Sequence, residues 1–516
     1  MRMRFIKETA SLFCLLLLLT MTHSILADNN VPEPINISLL KPEVSSSTHL
    51  LNLQEELDGD SMFYVESDTA DKADFALLNL TVFRSSLSSF FLDQERNKSF
   101  VDYRTLQGSV KFSLIAGADY HTSDNKSYLH FYRGAQVRGN IKNRLLFWGD
   151  WWAGRFQGDL EYAEKSSPLI KGFHKPHNEN QEYTNLDRLT GQITYLFPIG
   201  NLTVGRGTHL VGNNIGGSII LNNDANDYGY FSGELSFGKL KLSLLHSSLI
   251  PDNLKDYPPY SSQDRFLVLH QIDFYPYENL NLFFGEEIIY ANRSIDFSYL
   301  LPHTFYRITE HNLGDRDNVI IYSGLNWRVA DSTLLYGNLA LDELRKSEIF
   351  GDWWGNKYAL QGGVSFSFGQ NLFTKTNQPI QTTFEVTAVR PWMYTHKISA
   401  NAFSNDGIGL GFPEGSNLIQ LAEEIALPIT SFLTFNHHLS YTKQGSVGNH
   451  YSINYNDRPS NTAKWLEGEV TKRLKSCNVL TISVSAHQQI KIGVELKKQD
   501  RDDWEKELVI GYKAIY

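Results

Sequence analysis

Two copies of the tetrapeptide Gly-Asp-Trp-Trp, at residues 149–152 and 351–354, hold four of the nine tryptophans of this 516-residue chain. An indole face stacks on the C–H face of a pyranose, and a neighbouring carboxylate accepts hydrogen bonds from sugar hydroxyls. Asp150, Trp151, Trp152, Asp352, Trp353 and Trp354 are therefore candidate polysaccharide contacts. The same tryptophans also suit the aromatic girdle of a membrane protein, and both readings stand at this point. Other groupings point away from catalysis. His174-x-x-His177 and His437-His438 lack a third ligand for zinc, so no metal is expected. Gly407-x-Gly409-x-Gly411 has neither the spacing nor the strand-to-helix setting of a dinucleotide loop, and no Gly-x-Ser-x-Gly elbow occurs. Neither an enzymatic activity nor a cofactor is expected.

The elements that would carry such residues are strands. From about residue 109 onward the pattern has period two. Tyr358, Leu360, Gly362, Val364, Phe366 and Phe368 alternate with Ala359, Gln361, Gly363, Ser365 and Ser367. Leu240, Leu242 and Leu244 alternate with Lys241 and Ser243, and Ile490, Ile492, Val494 and Leu496 alternate with Lys491, Gly493, Glu495 and Lys497. Charge on the second face implies a wet interior. The last nine residues, 508–516, put Leu508, Ile510, Tyr512, Ala514 and Tyr516 on one face and end on an aromatic. This is the pattern of a barrel-closing strand, which shows lipid at every second residue. Short turns are expected at Ala330-Asp331-Ser332 and Gly238-Lys239, with long loops at 249–264, 300–317 and 401–417 on the other rim. The fold expected is an all-β, antiparallel transmembrane β-barrel of about 16 to 18 strands with a small N-terminal helical plug segment.

Composition agrees with export. A basic start (Arg2, Arg4, Lys7), an apolar run over 12–19 and Ala27 before Asp28 match a signal peptide at residues 1–27. Residues 28–105 read as short helices plus linker, a plug or periplasmic segment, and residues 106–516 as the barrel. Without the leader the chain carries 44 Lys+Arg against 56 Asp+Glu, a net charge of −12, which makes nucleic acid an unsuitable partner. Only Cys477 would remain, so no intrachain disulfide is expected.

Several segments are similar in wording to a known family. Gly205-Arg206-Gly207-Thr208-His209, followed by the stretch 219–225 (Ile-Ile-Leu-Asn-Asn-Asp-Ala), resembles the capsule assembly Wzi family. Residues 266–276 with His270 and Asp273, then 286–293, 299–306, Asp317-Asn318, 336–342, Asn356-Lys357-Tyr358 and 391–396 follow in the family's order. The resemblance spans about residues 188–417. It implies an 18-stranded outer-membrane barrel with a helical plug, acting as a lectin-like anchor for capsular polysaccharide. Related barrels serve surface gliding. Arg206, Glu286, Arg293 and Asp317 lie in this stretch and are candidate members of an inward-facing lumen network. The reading is a monomeric barrel of a Gram-negative outer membrane, in contact with membrane lipid and with capsular or exopolysaccharide. The alternatives are a porin-like channel and a surface component of adhesion or gliding motility.

Overall fold

In the computed structural model, residues 79–80 and 100–516 are described, apart from 106, 168–182, 253–263, 302–303, 349–350, 370–378 and 486. The expected signal peptide and nearly all of the expected plug segment lie outside these residues. Eighteen antiparallel strands close on themselves: β1 (Gly108–Ser123), β2 (Lys126–Ile141), β3 (Leu145–Gly158), β4 (Tyr183–Phe197), β5 (Gly200–Gly207), β6 (Tyr228–Phe237), β7 (Leu240–Leu249), β8 (Arg265–Tyr277) and β9 (Leu280–Ala291). The second half comprises β10 (Asn318–Ala330), β11 (Thr333–Glu343), β12 (Lys357–Phe368), β13 (Ile380–Val389), β14 (Leu418–Thr430), β15 (Leu433–Gly445), β16 (Val470–Ser485), β17 (Gln488–Gln499) and β18 (Glu505–Ile515).

Closure depends on the last residues. β18 pairs with β1 from Glu507↔Ser123 to Ile515↔Ile115, and the Leu114 and Tyr516 backbones exchange two hydrogen bonds of 2.6 and 2.8 Å. The seam is thus a continuous antiparallel ladder without an open edge over these residues, as a bilayer demands. The lower edge of β1 continues into a hairpin with Val101–Thr105, which in turn pairs with Asn79–Leu80. The described end of the N-terminal segment is therefore strand, where the sequence pattern suggested helix.

Alternation sets the two faces. Leu189, Ile193, Leu202, Val204, Phe284, Leu360, Ile492, Ile510 and Tyr512 are all exposed on the outer wall, which forms the lipid-facing apolar belt. The rim near residues 142–144, 198–199, 238–239 and 331–332 carries short turns. In the first of these, Lys142 (φ 52°) and Asn143 (φ 50°) adopt the left-handed conformation that a tight hairpin requires. The long connections, including 208–227, 292–317, 344–356, 390–417 and 446–469, lie at the opposite rim. Two α-helices occur among the described residues, α1 (Leu160–Ser166) and α2 (Tyr306–Asn312), both on such connections. No described helix is long and apolar enough to cross a membrane, so the strands do the crossing.

Candidate functional site

The two Gly-Asp-Trp-Trp segments fold differently and do not share a site. The first lies in mid-strand on β3, where alternation separates its members. Trp151 points outward beside Leu189 and belongs to the lipid belt. Trp152 points inward and packs on the rings of His130 and Tyr132, 5.8 and 6.0 Å away. Asp150 also faces inward, in a row with Gln136 and Thr190, and one of its oxygens is buried with no hydrogen-bond partner.

The second segment sits on the 344–356 connection at the long-loop rim, about half the circumference from β3. It is stitched to the 446–469 connection: Ala463 N–H donates to the Asp352 carbonyl (2.7 Å), Trp354 N–H donates to the Asn461 carbonyl (3.1 Å), and Trp353 bridges Thr462. The Trp354 ring lies 5.0 Å from Tyr455 and 5.9 Å from Trp353. The guanidinium of Arg345 stands 4.1 Å over Trp353, and that of Arg458 stands 4.1 Å over Trp354. Trp353, Trp354, Tyr455 and Arg458 are all partly open to solvent. This is a shelf of π-faces and rigid donors at the mouth, built from two loops far apart in sequence.

The expected lumen network needs correction at all four positions. Arg206 shares the outward parity of Leu202 and Val204 and is exposed. Glu286 has the parity of exposed Leu282 and Phe284, so it too faces outward, yet it is only 1% exposed because the 292–317 connection folds back over the outer wall. There its carboxylate accepts the N–H groups of Tyr306 (2.6 Å) and Arg307 (3.4 Å) at the start of α2, whose N-cap residue, Phe305, offers no side-chain cap. Glu286 also lies 3.2 Å from His270. Arg293 and Asp317 close the base of the same connection with two parallel hydrogen bonds of 2.7 and 2.6 Å, and Tyr299 donates to Asp317. Three of the four residues do form one network, with Tyr290, Tyr299 and Tyr306 packed around it, but it lies on the outside. At Arg206 and Glu286 the difference is one of parity, since a strand residue's face is fixed only relative to its neighbours, whereas Arg293 and Asp317 lie just off the strands at the two ends of the connection.

The interior is held by a residue that the sequence reading missed. The 208–227 connection leaves the wall between β5 and β6, enters the lumen and docks on β10 to β14, across the barrel. The Glu385 carboxylate on β13, 3% exposed, accepts the N–H groups of Ile215 (3.0 Å) and Gly216 (3.1 Å) and the hydroxyl of Tyr336 (2.7 Å). Asn338 donates to the Asn213 carbonyl (2.9 Å) and Gln361 to the Gly217 carbonyl (2.8 Å). Gly217 has φ +106°, and a Cβ there would collide with Pro413, so only glycine fits. Beyond the contact, Ile219, Ile220 and Leu221 join Tyr394, Phe403, Leu410 and Phe412 in an apolar core that fills the mouth side of the barrel. The signal for Glu385 was available in the alternation of Gln381, Thr383, Glu385 and Thr387 along β13.

Charges outside the strands follow from burial. The His209 ring is packed against Tyr228 and Tyr230, and burial lowers its pKa to about 4. Burial raises the Glu310 carboxyl on α2 to about 7, with the Arg307 guanidinium pulling the other way. Glu310, His311 and Asp315 approach one another closely enough to suggest a metal site. However, Arg307 lies 3.3 Å from Glu310 and Lys397 3.8 Å from Asp315, so resident cations already balance these acids. His437 and His438 face opposite sides of β15, the first bonded to Asn478 and the second near Glu424.

Neither a protein-family model nor a curated relative matches the chain. Among solved structures it is similar to Wzi of Escherichia coli, a carbohydrate-binding outer-membrane β-barrel involved in group 1 capsule assembly, at 12% identity and a TM-score of 0.50, covering 78% of this chain and 83% of that one. It is also similar to Pseudomonas aeruginosa OprD (11% identity, TM-score 0.43, covering 79% and 95%) and OccK7 (10% identity, TM-score 0.44, covering 80% and 99%). At such identities the likeness speaks for the fold, and together with the lipid-facing belt it supports an outer-membrane location for this 18-stranded barrel.

Proposed function

We propose that the protein, exported by its N-terminal leader, binds capsular or exopolysaccharide at its long-loop mouth, holds it at the cell surface and performs no reaction on it. The observation that carries this reading is the shelf of Trp353, Trp354 and Tyr455 flanked by Arg345 and Arg458. Aromatic faces suit pyranose rings, and guanidinium forks donate to hydroxyl or carboxylate oxygens of a sugar chain. Long loops usually face outward in bacterial barrels, which puts the shelf where a surface polymer is met. The 208–227 connection lying across the lumen favours binding at the mouth over passage through it. One polymer spans many barrels, so weak single contacts add up to avidity, and a monomeric barrel suffices.

The test is to delete the gene in its host, complement with wild type or with Trp353→Ala/Trp354→Ala, and assay polysaccharide on washed cells and in the medium. The reading expects unchanged total polymer that moves from cells to medium, in the deletion and in the double variant alike. A fall of polymer in both fractions would favour a transport role. No change in either would reject the polysaccharide reading and turn attention to adhesion or motility.

A further inference from the structure

The connection 292–317 covers the outer wall at a height where the rest of the barrel is bare. Ile288 lies eight residues above Leu280, the first residue of β9, and is fully buried beneath the connection, as is Val268 on β8. Leu189 lies eight residues from the turn end of β4, Phe197, and is 58% exposed on the outer face. Strands rise about 3.3 Å per residue and tilt by about 40°, so both positions stand roughly 20 Å above the turn rim, within an apolar band about 25 Å tall.

The cover does not present a polar surface in place of the wall it hides. Phe297 is 78% exposed, Ile308 60% and Phe305 57%, with Ile295 and Leu301 also open. Directly below it on the same strands, Ile272, Phe274, Leu282 and Phe284 are exposed and lipid-facing. The apolar surface is therefore continuous from the strands onto the connection. We propose that this connection is an outer flap embedded in the outer leaflet, with Ile295, Phe297, Leu301, Phe305 and Ile308 contacting lipid acyl chains. The flap lets Glu286, His270, Arg293 and Asp317 occupy the outer wall without meeting hydrocarbon, because the polar groups pair with one another beneath it. An aqueous loop would instead leave these five side chains in water with nothing to cover them, an apolar patch of the kind that soluble surfaces avoid.

The experiment places nitroxide spin labels at Phe297→Cys and Ile308→Cys, in a Cys477→Ala background, with the full chain in palmitoyl-oleoyl phosphatidylcholine vesicles. Phe284→Cys serves as the lipid reference and Asn456→Cys, exposed at the mouth, as the water reference. Collision rates with molecular oxygen and with a water-soluble nickel chelate are compared, and mobility shifts on heating in detergent verify that each variant is folded. The flap predicts an oxygen-to-nickel ratio at both sites equal to that at Phe284 and several-fold above that at Asn456. A ratio matching Asn456 would place the connection in water and overturn the proposal. Low rates with both reagents would also overturn it, since a second copy or another protein would then occupy the face. Labels at Ile295→Cys and Leu301→Cys repeat the measurement should either first variant fail to fold.

Discussion

The 208–227 and 292–317 connections solve one problem in opposite directions. Each begins at the long-loop rim, and each is fastened by a buried wall carboxylate that accepts two consecutive backbone N–H groups: Glu385 for Ile215 and Gly216, Glu286 for Tyr306 and Arg307. Charge-assisted hydrogen bonds of this kind are roughly twice as strong as neutral ones and offset the desolvation of the carboxylate. What differs is parity. Glu385 stands on the inward side of β13 and draws its loop into the lumen, whereas Glu286 stands on the outward side of β9 and draws its loop down the outer wall. The sidedness of a long connection is thus set by which face of the wall offers the acceptor, and the loop's own glycines (212, 216 and 217) or tyrosines (299 and 306) fit the space on that side.

The comparison breaks most visibly at Glu385. Glu385→Ala removes the acceptor of four hydrogen bonds, from Ile215, Gly216, Tyr336 and Thr387, and is expected to weaken docking of the inner loop by about 3 kcal/mol. The channel in a planar bilayer should then open to a porin-like conductance, with excision of residues 209–226 as the positive control. Glu286→Ala is the matched change outside. It should cost about 2 kcal/mol through the lost helix cap and the orphaned N–H groups, expose 292–317 to protease, and leave conductance at its wild-type value. An altered conductance in Glu286→Ala would show that the two connections are coupled and that the division into inside and outside is wrong. Arg293→Lys keeps the charge but loses the fork that meets Asp317, and a loss of about 1 kcal/mol in the same protease assay is expected.

A further effect is one of pH. His209 at the root of the inner loop has its pKa lowered to about 4 by burial, against an ordinary 6.5. The unfolded or released loop therefore binds the proton more readily than the docked one. The docked state has its full stability above about pH 6.5 and loses it as pH falls towards 4. Conductance measured across this window should rise on acidification, and His209→Gln should flatten the profile.

The strands were legible because the lipid belt imposes period two. The faces read from β7, β12, β17 and β18 carry exposed Leu240, Leu360, Ile492, Ile510 and Tyr512 on the apolar side, as expected. The turns at 238–239 and 331–332 and the long loops over 300–317 and 401–417 at the opposite rim also fall where the sequence put them, while most of the loop expected over 249–264 lies outside the described residues. The candidate site was less legible. Asp150, Trp151 and Trp152 read as one motif, but a strand turns Trp151 to lipid and its two neighbours inward. The same four letters at 351–354 form a surface shelf only because the 446–469 connection, more than 90 residues away in sequence, supplies Tyr455 and Arg458.

The amino-acid sequence by itself determined the strands and their two faces, since period-two alternation of apolar with polar residues suits a wall that has lipid on one side and a wet interior on the other. Tertiary structure alone decided where its charges went. Glu286 and Glu385 sit in similar apolar strands, and their opposite fates follow from barrel closure, which fixes absolute inside and outside, and from which loop was within reach of each carboxylate.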